Sequence, residues 1–138
     1  MKKILMIGAG ELGSRHLQGI CRSKQVVQVD VLEPQPASVR RAQGRVDEVN
    51  GERRIEFRFF DSMSQAADRY DLVIIATNSD VRFPIVKDFL SSRKTDFLVL
   101  EKLLTNDLDQ LDADQNLIAK KGVKTWVNCP RRMYPFYQ

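Results

Sequence analysis

Histidine occurs once in the 138 residues and cysteine only twice, at Cys21 and Cys129, far apart and without a Cys-x-x-Cys spacing. That set does not make a zinc site, so no metal is expected, and both thiols are taken as reduced and structural. Long apolar runs are also missing. No stretch approaches the ~20 residues that a membrane span needs. The start, Met1-Lys2-Lys3, has the basic character of a leader, but the apolar run behind it is only Ile4 to Ile7, and three glycines follow. Such a segment would not insert as a helix, and the expectation is a cytoplasmic protein whose first strand begins at once. Charge of one sign is not concentrated either. The 22 basic and 18 acidic residues leave a net +4, and the basic ones come as separate pairs, Arg40-Arg41, Arg53-Arg54, Lys120-Lys121 and Arg131-Arg132. Nucleic-acid binding asks for a basic face interleaved with stacking aromatics, and neither is found. A small anionic ligand fits this charge without them.

The length suits one domain, residues 1–138, able to bury roughly two-thirds of the surface its unfolded chain exposes. Within it, short apolar runs alternate with longer amphipathic ones. Residues 4–7 are unbroken apolar, the pattern of a strand covered on both faces. A helix is expected from Glu11 to about Ser23, with Gly13, Leu17 and Ile20 on one face. Residues 26–32 are rich in β-branched side chains and form the second strand. Pro36 opens a second helix to about Val49, and Ile55, Phe57 and Phe59 alternate with polar residues in a third strand covered on one side. A short helix at about residues 64–69 precedes a strand at 72–76. A helix at 81–90 offers Phe83, Val86 and Leu90 to the sheet. A fifth strand covers 97–100. The last helix is capped by Asn106 or Asp107 and ends at Gly122, before a sixth strand at 123–127.

Six strands separated by five helical segments require parallel strands and right-handed crossovers. The solution is an α/β fold with a doubly wound six-stranded sheet in the order 3-2-1-4-5-6, the Rossmann arrangement, whose ligands lie at the carboxyl ends of the strands. The loops to inspect therefore follow Ile7, Leu32, Ala76, Leu100 and Val127.

The first of them is Gly8-Ala9-Gly10-Glu11-Leu12-Gly13, a G-x-G-x-x-G string between a strand and a helix. Gly8 permits the tight turn, Gly10 lets the backbone approach a pyrophosphate, and Gly13 lets the helix pack closely on the strand. The first helical turn, with Glu11 and Leu12, offers amide groups and a partial positive charge to the phosphates. Glu33 stands directly after the second strand, 20 residues beyond Gly13. A carboxylate there accepts hydrogen bonds from the adenosine ribose and repels the 2′-phosphate of NADP, so NAD is favoured. Arg40 or Arg41 could return towards the ribose, which leaves NADP open.

The chain resembles the Gfo/Idh/MocA oxidoreductases over essentially its whole length. The first loop continues to His16 as G-x-G-x-x-G-x-x-H, Ala76-Thr77-Asn78-Ser79 is similar to the family's Ala-Thr-Pro-Asn, and Glu101-Lys102-Leu103 is similar to its Glu-Lys-Pro. The resemblance implies hydride transfer between NAD(P) and a sugar, inositol or related small molecule. It places Lys102 beside the nicotinamide and the reacting hydroxyl, with Glu101 paired to Lys102 or on the nicotinamide ribose. Thr77 and Asn78 would lie near that ribose, and an arginine at 131 or 132 near the substrate. Both loop prolines of the family are replaced, and Arg82 stands where many members have histidine.

The family's general base belongs to a second, C-terminal domain, which is not contained in these 138 residues, so binding without turnover is expected of them. The aromatic ending Met133-Tyr134-Pro135-Phe136-Tyr137 is expected to pack on such a domain or on a partner subunit, or to fold back on its own domain. The competing reading is a regulatory module that senses NAD without chemistry.

Overall fold

The computed structural model describes residues 1–25, 27–49, 51, 55–105 and 107–137, except for the side chains of 132, 133 and 137. The expected strand start at Val26, the cap at Asn106, the Arg53-Arg54 pair and the side chain of Arg132 lie outside them. Six strands, β1 (Lys2–Ile7), β2 (Val27–Leu32), β3 (Glu56–Phe60), β4 (Arg69–Ile75), β5 (Lys94–Glu101) and β6 (Lys124–Asn128), form one sheet. Its order is β3-β2-β1-β4-β5-β6 and every pairing is parallel. This is the expected doubly wound order.

Helices α1 (Glu11–Cys21) and α2 (Pro36–Asp47) pack on each other over one face of the sheet. There Ile4, Met6, Val29, Val31 and Ile74 meet Leu17, Cys21, Ala42 and Val46. On the other face Leu5, Ile7, Val73, Ile75 and Leu98 meet Val86, Phe89 and Leu90 of α3 (Ser79–Ser92). The central strands β1 and β4 thus carry apolar residues on both faces, which is why their sequences run apolar without alternation. Helix α4 (Leu108–Lys121) has no fully buried residue and leans on the second cluster through the half-buried Leu117 and Ile118. Asp107 caps its start, accepting from Asp109 N at 2.9 Å, and Gly122 ends it at φ +67°, the left-handed conformation that glycine adopts without strain.

The segment expected as a helix at 64–69 is shorter. A single 3-10 turn, Met63–Gln65, is capped by Ser62, and β4 already begins at Arg69. The cause is pairing with β5, which starts early as well: Lys94 N donates to Asp68 O at 2.9 Å, and Tyr70 stands opposite Thr95. Tyr70 then enters the core and donates to Asp30 Oδ2 at 2.6 Å, while Arg58 grips the same carboxylate through Nε and Nη2 at 3.0 and 2.6 Å. Burial, helped by Asp30, pushes the Tyr70 phenol up to about 12. At the far edge Phe97 and Trp126 stay exposed, with their rings 6.0 Å apart. Among the described residues, no helix is long and apolar enough to cross a membrane.

Candidate cofactor site

β1 and β4 are hydrogen-bonded up to their carboxyl ends and then turn to opposite sides of the sheet, opening a crevice where the strand order reverses. Gly8 leaves β1 at φ +86°, in the left-handed region, and its N–H donates to Leu32 O at 2.9 Å. A Cβ on Gly8 would stand 3.0 Å from the Thr77 methyl and 3.2 Å from the Ala76 carbonyl carbon. A Cβ on Gly13 would lie 1.9 Å from the Gly8 carbonyl oxygen. Gly10 differs from both, since a Cβ there meets nothing within 4 Å. Two glycines of the loop are therefore required by the protein's own packing, and the third borders open space. The first bond of the α1 start runs from Ser14 N to Gly10 O at 3.1 Å, so the amides of Glu11, Leu12 and Gly13 have no intrahelical acceptor.

Glu33 is 7% exposed, and two backbone amides fix its carboxylate. Ala9 N donates to Oε2 at 2.8 Å and Gln35 N to Oε1 at 2.9 Å. The acid is thereby tied to the glycine loop, and its own N–H is held by Phe60 O at 2.9 Å. The Glu11 side chain, by contrast, is drawn onto α2, where it meets Arg45 Nη2 at 2.7 Å and Arg41 Nε at 3.1 Å. These guanidiniums, Arg45 foremost, hold its carboxyl below the usual range. What Glu11 presents to the crevice is its amide, while its negative charge is balanced elsewhere. Arg41 is engaged in this pair, and Arg40 lines a groove beside Glu33, Pro34 and Pro36.

On the other side of the crevice the loops after β4 and β5 approach each other. Thr77 and Asn78 border both halves of the hollow, and the Thr77 Oγ1 is buried without a hydrogen-bond partner. Glu101 is 2% exposed. Its Oε1 accepts from Asn128 Nδ2 at 2.6 Å and lies 2.6 Å from His16 Nε2. The expectation that Glu101 pairs with Lys102 is therefore corrected: His16 and Asn128 take the buried carboxylate at the end of β5, and Lys102 follows in an exposed bend. Lys102 is exposed at the rim, with no polar partner among the described residues. His16 lies beneath the loop as expected, and its link to β5 was not foreseen. Arg82 was also missed as a structural centre. It is 3% exposed, and its Nη1 donates to the carbonyls of Glu101 (2.5 Å), Leu103 and Leu104 (3.2 Å), while Nη2 donates to Thr77 O. Burial holds this guanidinium below the ordinary arginine value, and the nearby Glu101 opposes that shift. Arg131 is exposed after β6, away from any contact that would assign it to the crevice.

The crevice comprises a hollow of about 700 Å³ that includes Gly8, Gly10, Glu33 and Ile85, and one of about 430 Å³ that includes Leu12, Glu101 and Lys102. Both touch Gly10, Thr77 and Asn78, so the two form one elongated trough with the glycine loop at its middle. The shape fits a dinucleotide, with the open Cβ position of Gly10 and the helix-start amides at its centre and a fixed carboxylate at one end. A separate apolar cavity of about 320 Å³ lies between α3, α4 and the β5–β6 edge.

Residues 2–129 match the family model described as the oxidoreductase family, NAD-binding Rossmann fold, Gfo/Idh/MocA. No curated protein matches. Among solved structures, a Gfo/Idh/MocA family oxidoreductase from Vibrio cholerae superposes with a TM-score of 0.74 at 20% identity, over 99% of this chain and 41% of that one. Myo-inositol 2-dehydrogenase from Lactobacillus plantarum gives 0.74 at 16% identity, over 97% and 38%. The WlbA dehydrogenase from Bordetella pertussis, in complex with NADH and UDP-GlcNAcA, gives 0.74 at 17% identity, over 100% and 40%. The chain thus spans about two-fifths of the length of these neighbours. On its matched sequence and its glycine-lined trough, the chain belongs to the Gfo/Idh/MocA oxidoreductase family, as an NAD-binding Rossmann domain.

Proposed function

We propose that this chain is the cofactor-holding part of an NAD-dependent dehydrogenase acting on a sugar or related polyol. The observation that carries the reading is the contrast within one loop: Gly8 and Gly13 are closed in by protein, whereas Gly10 faces the trough beside helix amides that have no intrahelical acceptor. In this reading the amides of Glu11, Leu12 and Gly13 receive the diphosphate. Glu33, held by Ala9 and Gln35, takes the adenosine ribose hydroxyls and disfavours a 2′-phosphate. Thr77 and Asn78 line the nicotinamide ribose, and Glu101 braces that side of the trough from beneath. Bound nicotinamide would supply a hydride acceptor and donor. Lys102, exposed at the rim, would stabilise negative charge on the substrate oxygen.

The sugar or polyol class is supported by the named neighbours, a myo-inositol dehydrogenase and an enzyme crystallised with a nucleotide sugar. Groups outside these residues are expected to complete the substrate site and supply the general base. The exposed aromatics Phe97, Trp126, Tyr134 and Phe136 offer a surface for such a domain or for a second copy. A purely NAD-sensing module is the weaker reading, because the matched family consists of oxidoreductases. Calorimetric titration with NADH and NADPH tests the assignment. Tighter NADH binding, with no dehydrogenation of polyols by these residues alone, is expected. Preference for NADPH would contradict the role given to Glu33, and turnover would contradict the placement of the base.

A further inference from the structure

We propose that Arg82 is a positioning residue, which fixes the main chain on both sides of Lys102 and locks it to the loop after β4. The proposal rests on the assignment of Lys102 above. Arg82 sits in the first turn of α3, between the two loops that form the nicotinamide side of the trough. One nitrogen, Nη1, collects the carbonyls of Glu101, Leu103 and Leu104, and the other, Nη2, holds that of Thr77. Residues 101 and 103 flank Lys102, so the path of the chain through the lysine is set by this single guanidinium.

Plain core packing does not ask for such a residue. Burying a cation is costly, and here no carboxylate within ion-pair distance repays it among the described residues. An apolar side chain would fill the same space without that cost. What an arginine adds is a rigid planar fork that bonds several acceptors in fixed directions, which a lysine ammonium on a flexible stem does not reproduce. Beyond Glu101, whose carboxylate His16 and Asn128 hold, the segment that carries Lys102 has little else to stiffen it. Lys102 and Leu103 are exposed, and neither loop contains proline. The fork also separates the trough from the apolar cavity under α4, since Arg82 borders both, and its Nε is buried without a partner. Three of the four carbonyls belong to the short segment that carries Lys102, which is where a device for orienting that lysine would concentrate its bonds.

The test uses the parent, Arg82→Lys and Arg82→Ala, each with its lysines dimethylated with carbon-13. Without cofactor, amide exchange at residues 77–79 and 101–104 of Arg82→Lys should accelerate about ten-fold relative to β1 and β4. On addition of NADH, the variant should still bind, though more weakly than the parent, because the diphosphate site is untouched while the nicotinamide-side loops are loosened. The Lys102 signal, which shifts with NADH in the parent, should no longer respond, and millimolar guanidinium should restore part of the response to Arg82→Ala. Unchanged loop exchange, or a Lys102 signal that responds as in the parent, would overturn the proposal. Should neither variant fold, the parent decides: separate Nη signals of a rotationally locked Arg82 are expected, and one averaged signal contradicts the clamp. Failure of NADH to bind the parent would reject the cofactor reading, while loop exchange and the Arg82 signals still judge the clamp by themselves.

Discussion

Each glycine of the first loop answers to a different neighbour, and substitutions there separate folding from binding. A methyl group at Gly13 would be driven into the Gly8 carbonyl oxygen, a backbone atom that cannot step aside. Gly13→Ala should therefore cost about 1–3 kcal/mol or more, read as a lowered midpoint in denaturant. The role of Gly13 was legible in the sequence because the spacing of the string states it. The environment of Glu101 was not, because His16 and Asn128 come from α1 and β6 and no local pattern reports a contact across 85 or 27 positions. Arg82 was opaque for the same reason, its acceptors being carbonyls, which every residue possesses. Tyr70 gives a test by pH. Its phenol is raised to about 12 in the folded chain against about 10 when unfolded, so the folded state keeps the proton longer. Its contribution is complete below pH 10 and is lost as pH rises through about 12. Tyr70→Phe should flatten the fall in stability over that window, seen by chemical denaturation from pH 9 upward.

At the scale of elements, the strands were readable wherever both faces are covered, as in β1 and β2. The ends were not. β4 and β5 each begin earlier than their apolar cores, at Arg69 and Lys94, because parallel pairing and the Arg69–Asp96 ion pair extend the ladder through polar residues. Helix α4 is lightly anchored, since its amphipathic stripe covers the sheet without burying any residue fully. Asp114 in that helix borders the apolar cavity with one carboxylate oxygen buried and unpaired, and desolvation pushes its carboxyl up to about 6. The folded state therefore holds this proton where the unfolded chain has released it. Stability from Asp114 is present below about pH 4 and is lost as pH rises through about 6. Asp114→Asn should melt higher than the parent at pH 7 and show no such advantage at pH 4.

For the molecule as a whole, the topology places one trough across the point where the strand order reverses, and the loops that line it follow five strands, β1 to β5. A ligand that spans them couples to global stability. At a hundred times its dissociation constant, NADH should add about 2.7 kcal/mol, raising the melting temperature by roughly 8 °C for a chain of this size. A scan that finds no shift at saturating NADH would contradict a site formed by the folded sheet.

The most direct measurement is titration of Gly10→Leu with NADH beside its melting curve. A Cβ there meets nothing within 4 Å, and Gly10 caps α1 without a side-chain bond to lose, so the variant should fold with stability within about 1 kcal/mol of the parent. It should bind NADH at least about a hundredfold more weakly, a loss of about 2.7 kcal/mol, because the diphosphate can no longer reach the helix amides. A stable Gly10→Leu chain that takes up NADH as tightly as the parent would show that the cofactor does not lie against this loop.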